Sequence, residues 1–398
     1  MDLSRFWIWG IVVAVIAATV VAAVIVRRRD VRWRVWTVSI TFCVSCVIGV
    51  VLIWVRVNTV PGPLVNGVPV TNAAEVASFL RQLPPASPNI EAEIHIPTGV
   101  FLQSIDFDNA NNVVVTGYIW QKYGPDVPAD IERGVILPEG DKMEMDEAYH
   151  VRQGDTDVLG WYFKTTLRED FFYDRYPLDR QDVWLRIWAK DFERNIVLVP
   201  DVEAYADLTP ETLPGIESDF VLGNWTLENS YFSYRENRYN TDFGLTEPVR
   251  QEIYPELYFN VGIERNTLDA LLTFIVPPII TALMVFGILL LVTKQAERTG
   301  LSGWHSTTVL GFCASLLFVI FFAQINMRSR LNAEGVIYIE QLYFIVYAAI
   351  LLVCLDSILF THPDRFPFVE FEDNLVAKAV YWPFVTGSFF LVTLATFA

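Results

Sequence analysis

Six apolar blocks constrain this chain more than any other feature: residues 6–26, 35–55, 267–293, 304–325, 335–360 and 379–398. Each is close to the ~20 residues that a helix needs to cross ~30 Å of hydrocarbon, and only helices or closed barrels satisfy their backbone polar groups there. With 53% hydrophobic residues and a mean hydropathy of +0.35, the composition points the same way. The reading is therefore a multi-pass membrane protein, with a polar segment between the second and third blocks long enough for a domain of its own.

The first short loop sets the orientation. Residues 27–34, RRRDVRWR, carry five Arg and one Asp, which places this loop in the cytoplasm. The large polar domain and both termini then lie outside, 294–300 and 361–378 are inner loops, and 326–335 is an outer loop. Arg328 and Arg330 in that outer loop weigh mildly the other way. The first block is read as a retained helix, because its basic run follows the apolar stretch and no small-residue cleavage site is evident.

The net charge of −17 comes from the polar segment, where roughly 35 acidic residues face roughly 16 basic ones, a balance that repels nucleic acid and anionic lipid. Solubility alone would also explain it. All four cysteines, Cys43, Cys46, Cys313 and Cys354, fall in apolar blocks, so the outer domain has no disulfide; a bacterial inner membrane with a periplasmic domain suits this.

Residues 57–90 read as a Pro/Gly-rich linker with one short helix opened by the capping-box pattern Asn72 to Glu75. From 91 to 265, short alternating runs separated by turns predict eight to ten strands in an antiparallel β-sandwich. One run, QDVWLRIWAK, alternates cleanly: Val183, Leu185 and Ile187 face one side, while Asp182, Trp184, Arg186 and Trp188 face the other. The expected organisation is a two-helix hairpin over 1–56, the linker over 57–90, the sandwich over 91–265 and four transmembrane helices over 266–398.

Catalytic patterns are absent. The four histidines are scattered, with no HExxH and no CxxC, and neither a Walker loop nor a nucleophile elbow occurs; no cofactor and no metal site is expected, and the chain is not read as an enzyme. The acidic run EGDKMEMDE (139–147) could hold Ca²⁺, but its spacing matches no known calcium loop and a solvated loop explains it as well. Several aromatics fall where loops are expected: Phe192 after the 181–190 strand, and Tyr234, Tyr239 and Phe243 in SYRENRYNTDFG. They could cap a ligand or pack sandwich edges.

In the fourth block, Thr308, Phe312, Ser315, Val319, Phe322 and Asn326 recur at helical spacing. Polar ends around a hydrophobic middle suit a helix lining a water-filled path, although ordinary helix packing uses such residues too. The third block contains Pro277-Pro278 and follows Arg265 closely, and Asp356 is an acid inside the fifth.

Taken together, the β-rich outer domain, the turn Tyr176-Pro177-Leu178-Asp179-Arg180-Gln181, an Arg ahead of the first of four close-set helices and a Pro within that helix resemble the pentameric ligand-gated ion channels, the Cys-loop receptor superfamily. The resemblance covers about residues 90–398, and the turn lacks flanking cysteines, as in prokaryotic members. The two extra N-terminal transmembrane helices depart from the family's plan. The resemblance implies a homopentameric channel gated by a small molecule, ion or proton, with lipid around it and the 304–325 block as pore helix. It also implies an Asp179–Arg265 coupling pair and a ligand site drawn from Trp188, Asp191, Phe192, Tyr234, Tyr239 and Phe243. Glu297, Arg298 and His305 would stand at the inner mouth, and the acidic outer domain leans towards cations. The alternative is a non-conducting membrane sensor or scaffold whose β-sandwich binds a ligand or partner.

Overall fold

A computed structural model describes residues 3–26, 29–60, 62, 64, 67–82, 93–241, 243–244, 253–293, 306–331, 335–360, 369 and 371–397. The chain divides into two compact units. One holds residues 1–60, 173–179 and 267–398; the other holds 61–172 and 180–266.

The helical unit contains α1 (Leu3–Ile25), α2 (Val31–Thr59), α4 (Thr267–Phe274), α5 (Val276–Leu291), α6 (Ser306–Leu331), α7 (Tyr338–Leu359) and α8 (Leu375–Phe397). Among the described residues five helices are long and apolar enough to cross a membrane: α2, α4 with α5 counted as one, α6, α7 and α8; the apolar part of α1, Trp9–Ile25, is shorter than the first block predicts.

Prolines interrupt two of these helices, and in both a hydroxyl from another helix repairs the damage. Pro278 has no N–H to give the carbonyl of Phe274, which instead accepts from the Tyr343 hydroxyl of α7 at 2.8 Å. Pro383 likewise frees the carbonyl of Ala379 in α8, and Ser39 of α2 donates to it at 2.7 Å. Along the same seam Gly49 of α2 stands so close to α8 that an added Cβ would meet the Phe390 ring at 2.6 Å. Val50 and Ile53 of α2 and Val15 of α1 complete an apolar core with Phe390.

The other unit has two sheets. One has the order β1 (Val68–Val70), β10 (Trp225–Arg238), β11 (Ile253–Arg265), β7 (Arg180–Ala189) and β4 (Val135–Ile136). The second runs β5 (Gly140–Gln153), β6 (Thr156–Arg168), β3 (Asn112–Tyr123), β2 (Ile94–Phe107) and β8 (Ile196–Pro200), with β9 (Ile216–Val221) also on β2. Eleven strands are thus formed among the described residues, and β2 pairs in parallel with β8 and β9 where an all-antiparallel arrangement was expected. Alternating burial along β3 and β7 gives each sheet a core-facing side, and the Tyr234 hydroxyl of one sheet donates to the Leu198 carbonyl of the other at 3.1 Å.

The linker reading needs correcting. Residues 68–70 form β1 against Tyr234–Phe232 of β10, and the short helix α3 (Ala73–Gln82) lays Phe79 flat on Tyr234 at 4.6 Å. Its start is capped as the sequence predicts, with the Glu75 N–H donating to Asn72 Oδ1 at 2.9 Å, while the Glu75 carboxylate accepts from Thr71 N–H and so titrates below its ordinary range.

Candidate functional site

On β7 the alternation expected from sequence holds from Arg180 to Ala189: Val183, Leu185 and Ile187 are buried in the core, and the intervening side chains line the opposite face. Register then dictates their neighbours. Arg186 lies opposite Tyr258 and Trp184 opposite Asn260 of β11, while Tyr258 and Glu256 lie opposite Ser233 and Arg235 of β10. A ladder of aromatic and charged residues results: Trp188, Arg186, Trp184, Asp182 and Arg180, about 27 Å long at ~3.4 Å per residue.

At one end of the ladder four aromatic rings gather. Trp188 meets Phe192, Tyr239 and Phe243 edge-on at 5.7, 5.8 and 6.1 Å, and Phe243 reaches Phe192 at 6.3 Å and Tyr239 at 5.4 Å. Phe243 is 49% exposed and sits at φ 55°, the left-handed region that costs a non-glycine residue about 1–2 kcal/mol. Its ring contacts hold it there. The Trp188 Nε1–H is buried without an acceptor among the described residues, as is the Nε–H of Arg186.

Below the rings lies a charged cluster. Arg186 is bonded to Glu139, stands 3.6 Å from Glu256 and sets its guanidinium 5.2 Å over Trp188. Burial alone would lower the Arg186 pKa, but the Glu139 carboxylate outweighs it and fixes the charge. Glu256 also accepts from Tyr239 and Asn237, and the Tyr239 hydroxyl is pushed above its ordinary range by burial and by that carboxylate. Two acids against one guanidinium leave this cluster negative.

Further along, Arg235 stacks 4.0 Å over Tyr258 and 4.9 Å from Trp184. The Glu169 carboxylate accepts the Trp184 N–H at 3.1 Å and is driven well above the carboxylate range by burial. Asp182 is raised to about 6, first by burial and then by Glu228. Arg180 pairs with Glu228 at 3.3 Å and Glu264 at 3.4 Å.

Of the predicted ligand residues, one lies in the core and another is engaged by its own loop. Tyr234 is in β10 and not on a capping loop; its register with Leu257 and Ile187 turns it to the core, where it is 1% exposed. Asp191 is buried and organises its own loop, accepting from Glu193 N–H at 2.9 Å and Glu132 N–H at 3.1 Å and lying 3.7 Å from Arg194. The acidic run is not a loop: its residues 140–147 lie in the exposed edge strand β5, and among the described residues no three His, Cys, Asp or Glu side chains group as a metal site.

In the helical unit, α6 is packed along one stripe, Val309, Cys313, Leu316, Ile320 and Met327. Thr308, Phe312, Ser315, Val319, Phe322 and Asn326 are all exposed in the single chain, but so are Leu310, Phe318, Phe321 and Ile325. Thr308, Phe312 and Ser315 share a groove of about 410 Å³ with Met284, Gly287, Ile288 and Leu291 of α5. At the other end of α6, Arg328 pairs at 3.3 Å with Glu340 of α7, which is fully buried and also accepts from Gln324 at 3.2 Å. Glu297, Arg298 and His305 lie outside the described residues.

Residues 173–179 belong to the helical unit although the strands on either side of them belong to the other. Tyr176 meets Phe274 of α4 at 6.0 Å, the carbonyl of Asp174 accepts the N–H of Tyr338 at 2.9 Å, and Arg175 lies 6.0 Å over Phe397 of α8. Asp179 is 2% exposed within that unit; Arg265, at the end of β11, is half-buried with its guanidinium 3.9 Å over Trp225. Asp356, read from the sequence as a candidate functional acid, accepts from Asn374 at 2.6 Å.

Sequence reasoning missed Trp54, Ser39 and Tyr338. Only the proline at 383, which frees a carbonyl four residues earlier, was a signal visible in the chain itself. No family model matches the sequence, and no curated protein matches it significantly.

Proposed function

We propose that the chain is a subunit of a homopentameric ligand-gated ion channel of the Cys-loop receptor kind, prokaryotic in type, with two added membrane helices and its β-rich unit outside a bacterial inner membrane. One observation carries this reading: residues 173–179, enclosed in sequence by β strands, are packed among helices. Such a segment is where a binding event on strands becomes a displacement of membrane helices. The ladder along β7 supports it, since its far end is the aromatic cluster and its near end enters the turn.

In this reading Trp188, Phe192, Tyr239 and Phe243 take the ligand. The rings offer apolar and cation-accepting faces, Glu139 and Glu256 against Arg186 favour positive charge, and the Trp188 Nε1–H asks for an acceptor. A small organic ammonium with one acceptor atom meets all three demands. Asp179 and Arg265 form the coupling pair, and the exposed α6 stripe from Thr308 to Asn326 lines a central pore, with Phe312, Val319 and Phe322 as its dewetting constriction. The acidic outer unit concentrates cations at the mouth.

Native mass spectrometry of the detergent-solubilised protein tests the reading. Five copies are expected, followed by cation flux in proteoliposomes that Phe312→Ala alters; one, two or three copies would remove the central pore.

A further inference from the structure

The N-terminal hairpin is foreign to the family plan, yet α2 is bonded to α4, α7 and α8. Its Ser39 repairs the carbonyl that Pro383 frees in α8. Its last turn reaches α4, where Asn58 Nδ2 donates to Thr267 Oγ1 at 3.4 Å. Between these, Trp54 Nε1–H donates to the Tyr338 hydroxyl at 2.9 Å.

Tyr338 is the junction. Thr393 Oγ1 gives its proton to the Phe389 carbonyl at 2.8 Å, so across the 2.8 Å contact between the two hydroxyls Tyr338 donates to Thr393. The tyrosine oxygen is then an acceptor, and the indole N–H fills it. Three hydrogen bonds run in one direction from α2 through α7 into α8, an arrangement in which each bond polarises the next. The ring is 2% exposed, flanked by Phe389 at 5.6 Å and Phe397 at 5.1 Å. The same residue's backbone N–H holds the Asp174 carbonyl of the turn, and Phe397 lies under Arg175 of that turn.

We infer that α2 is a control input to the coupling segment: Trp54 is a positioning residue which, through Tyr338, sets where residues 173–179 stand against the ends of α7 and α8. The inference rests on the reading of that segment as the coupling element, but the contacts themselves do not depend on conduction. Moving α2 in the bilayer would shift the tyrosine and, with it, both the turn and the start of the helix that follows the proposed pore helix.

The test is hydrogen–deuterium exchange on the full-length protein in lipid nanodiscs. Trp54→Phe keeps an aromatic ring but deletes the N–H together with the rest of the pyrrole ring; it is expected to raise exchange over 172–180 and at the Tyr338 amide about fivefold, the worth of one neutral hydrogen bond, with the β3 and β6 peptides unchanged. Tyr338→Phe should do the same, and the double variant no more than either alone. Unchanged exchange over 172–180 in a folded Trp54→Phe protein overturns the inference. Should Trp54→Phe fail to fold, Thr393→Val interrupts the same chain one step later, and unchanged exchange there overturns it equally. A protein that shows the coupled exchange but assembles as a monomer or dimer sinks the channel reading and leaves the α2 input standing.

Discussion

Two aromatic clusters in this protein use nearly the same residues to opposite ends. In the β-rich unit, Trp188, Phe192, Tyr239 and Phe243 meet edge-on around an indole N–H that has no acceptor among the described residues, with one ring half exposed on left-handed backbone. In the helical unit, Trp54, Tyr338, Phe389 and Phe397 meet at similar distances, but the indole N–H and the hydroxyl are both bonded and the tyrosine is sealed from solvent. Ring packing is common to both. What separates them is polar satisfaction: a closed cluster is a joint, and a cluster with an unmet donor and an accessible edge has capacity left for a ligand.

The contrast is broken most directly by truncation. Tyr338→Ala removes a buried ring and strands two partners, so it should cost about 3–5 kcal/mol in thermal or denaturant unfolding in detergent. Trp188→Ala removes a half-buried ring whose N–H has no partner among the described residues, and about 1–2 kcal/mol is expected. Equal losses at the two positions would mean that the Trp188 cluster is core, and its role as a ligand site would fall.

Charge sharpens the contrast next. Asp182 has a pKa near 6 in the folded chain against an ordinary 3.8, because burial and Glu228 disfavour its ionisation. Between those two values the folded protein keeps a proton that the unfolded chain has released. Stability of the β-rich unit should therefore fall as pH rises from about 4 to about 6, by about 3 kcal/mol at most, and stay lower above. Glu169, raised by its own burial, acts in the same direction. Denaturant titrations across that window check it; Asp182→Asn should flatten much of the slope, and a slope of opposite sign would contradict the geometry of this face.

Ser39→Ala probes the paired side with a smaller change. It leaves the Ala379 carbonyl without its donor beside Pro383, at an expected cost of about 1–2 kcal/mol. Substituting Pro383→Ala in the same chain should restore the helix's own hydrogen bond and recover most of that loss. Absence of recovery would show that α2 is held to α8 by ring packing on Gly49 and Gly387 and not by the bond.

How much of this was legible in the sequence follows from how local each signal is. The β7 alternation was, because a period of two is written in ten consecutive residues. Trp188, Phe192, Tyr239 and Phe243 came together only through the resemblance, since period and composition put Trp188 on a strand and left the loop aromatics open between a ligand and edge packing. Tyr234 was not legible: whether a residue near a strand's end faces core or solvent is set by register with β11, and a shift of one residue reverses it. Nor was β1, three residues long, which exists only because β10 offers an edge to it. For Asp191 the resemblance implied a ligand contact, while the N–H groups of Glu132 and Glu193 that its carboxylate caps are set by the folded loop and not by any spacing in the chain. The Trp54–Tyr338 bond joins positions 284 residues apart, a separation at which no spacing rule operates.

The smallest expected effect separates strain from contact at the open cluster. Phe243 occupies φ 55° at a cost that glycine would not bear, so Phe243→Gly relieves about 1 kcal/mol of backbone strain while forfeiting a half-exposed ring's contacts of similar worth. Unfolding stability should change by less than about 0.5 kcal/mol. Fluorescence of the tryptophans, read while a small organic ammonium with one acceptor oxygen, such as choline, is titrated, should respond in the wild type and respond several-fold more weakly in the variant. That combination, no loss of stability with loss of binding, is what a residue held in strain for a ligand would give. A large destabilisation with binding intact would assign Phe243 to the packing of the loop and move the ligand contact back to Trp188, Phe192 and Tyr239.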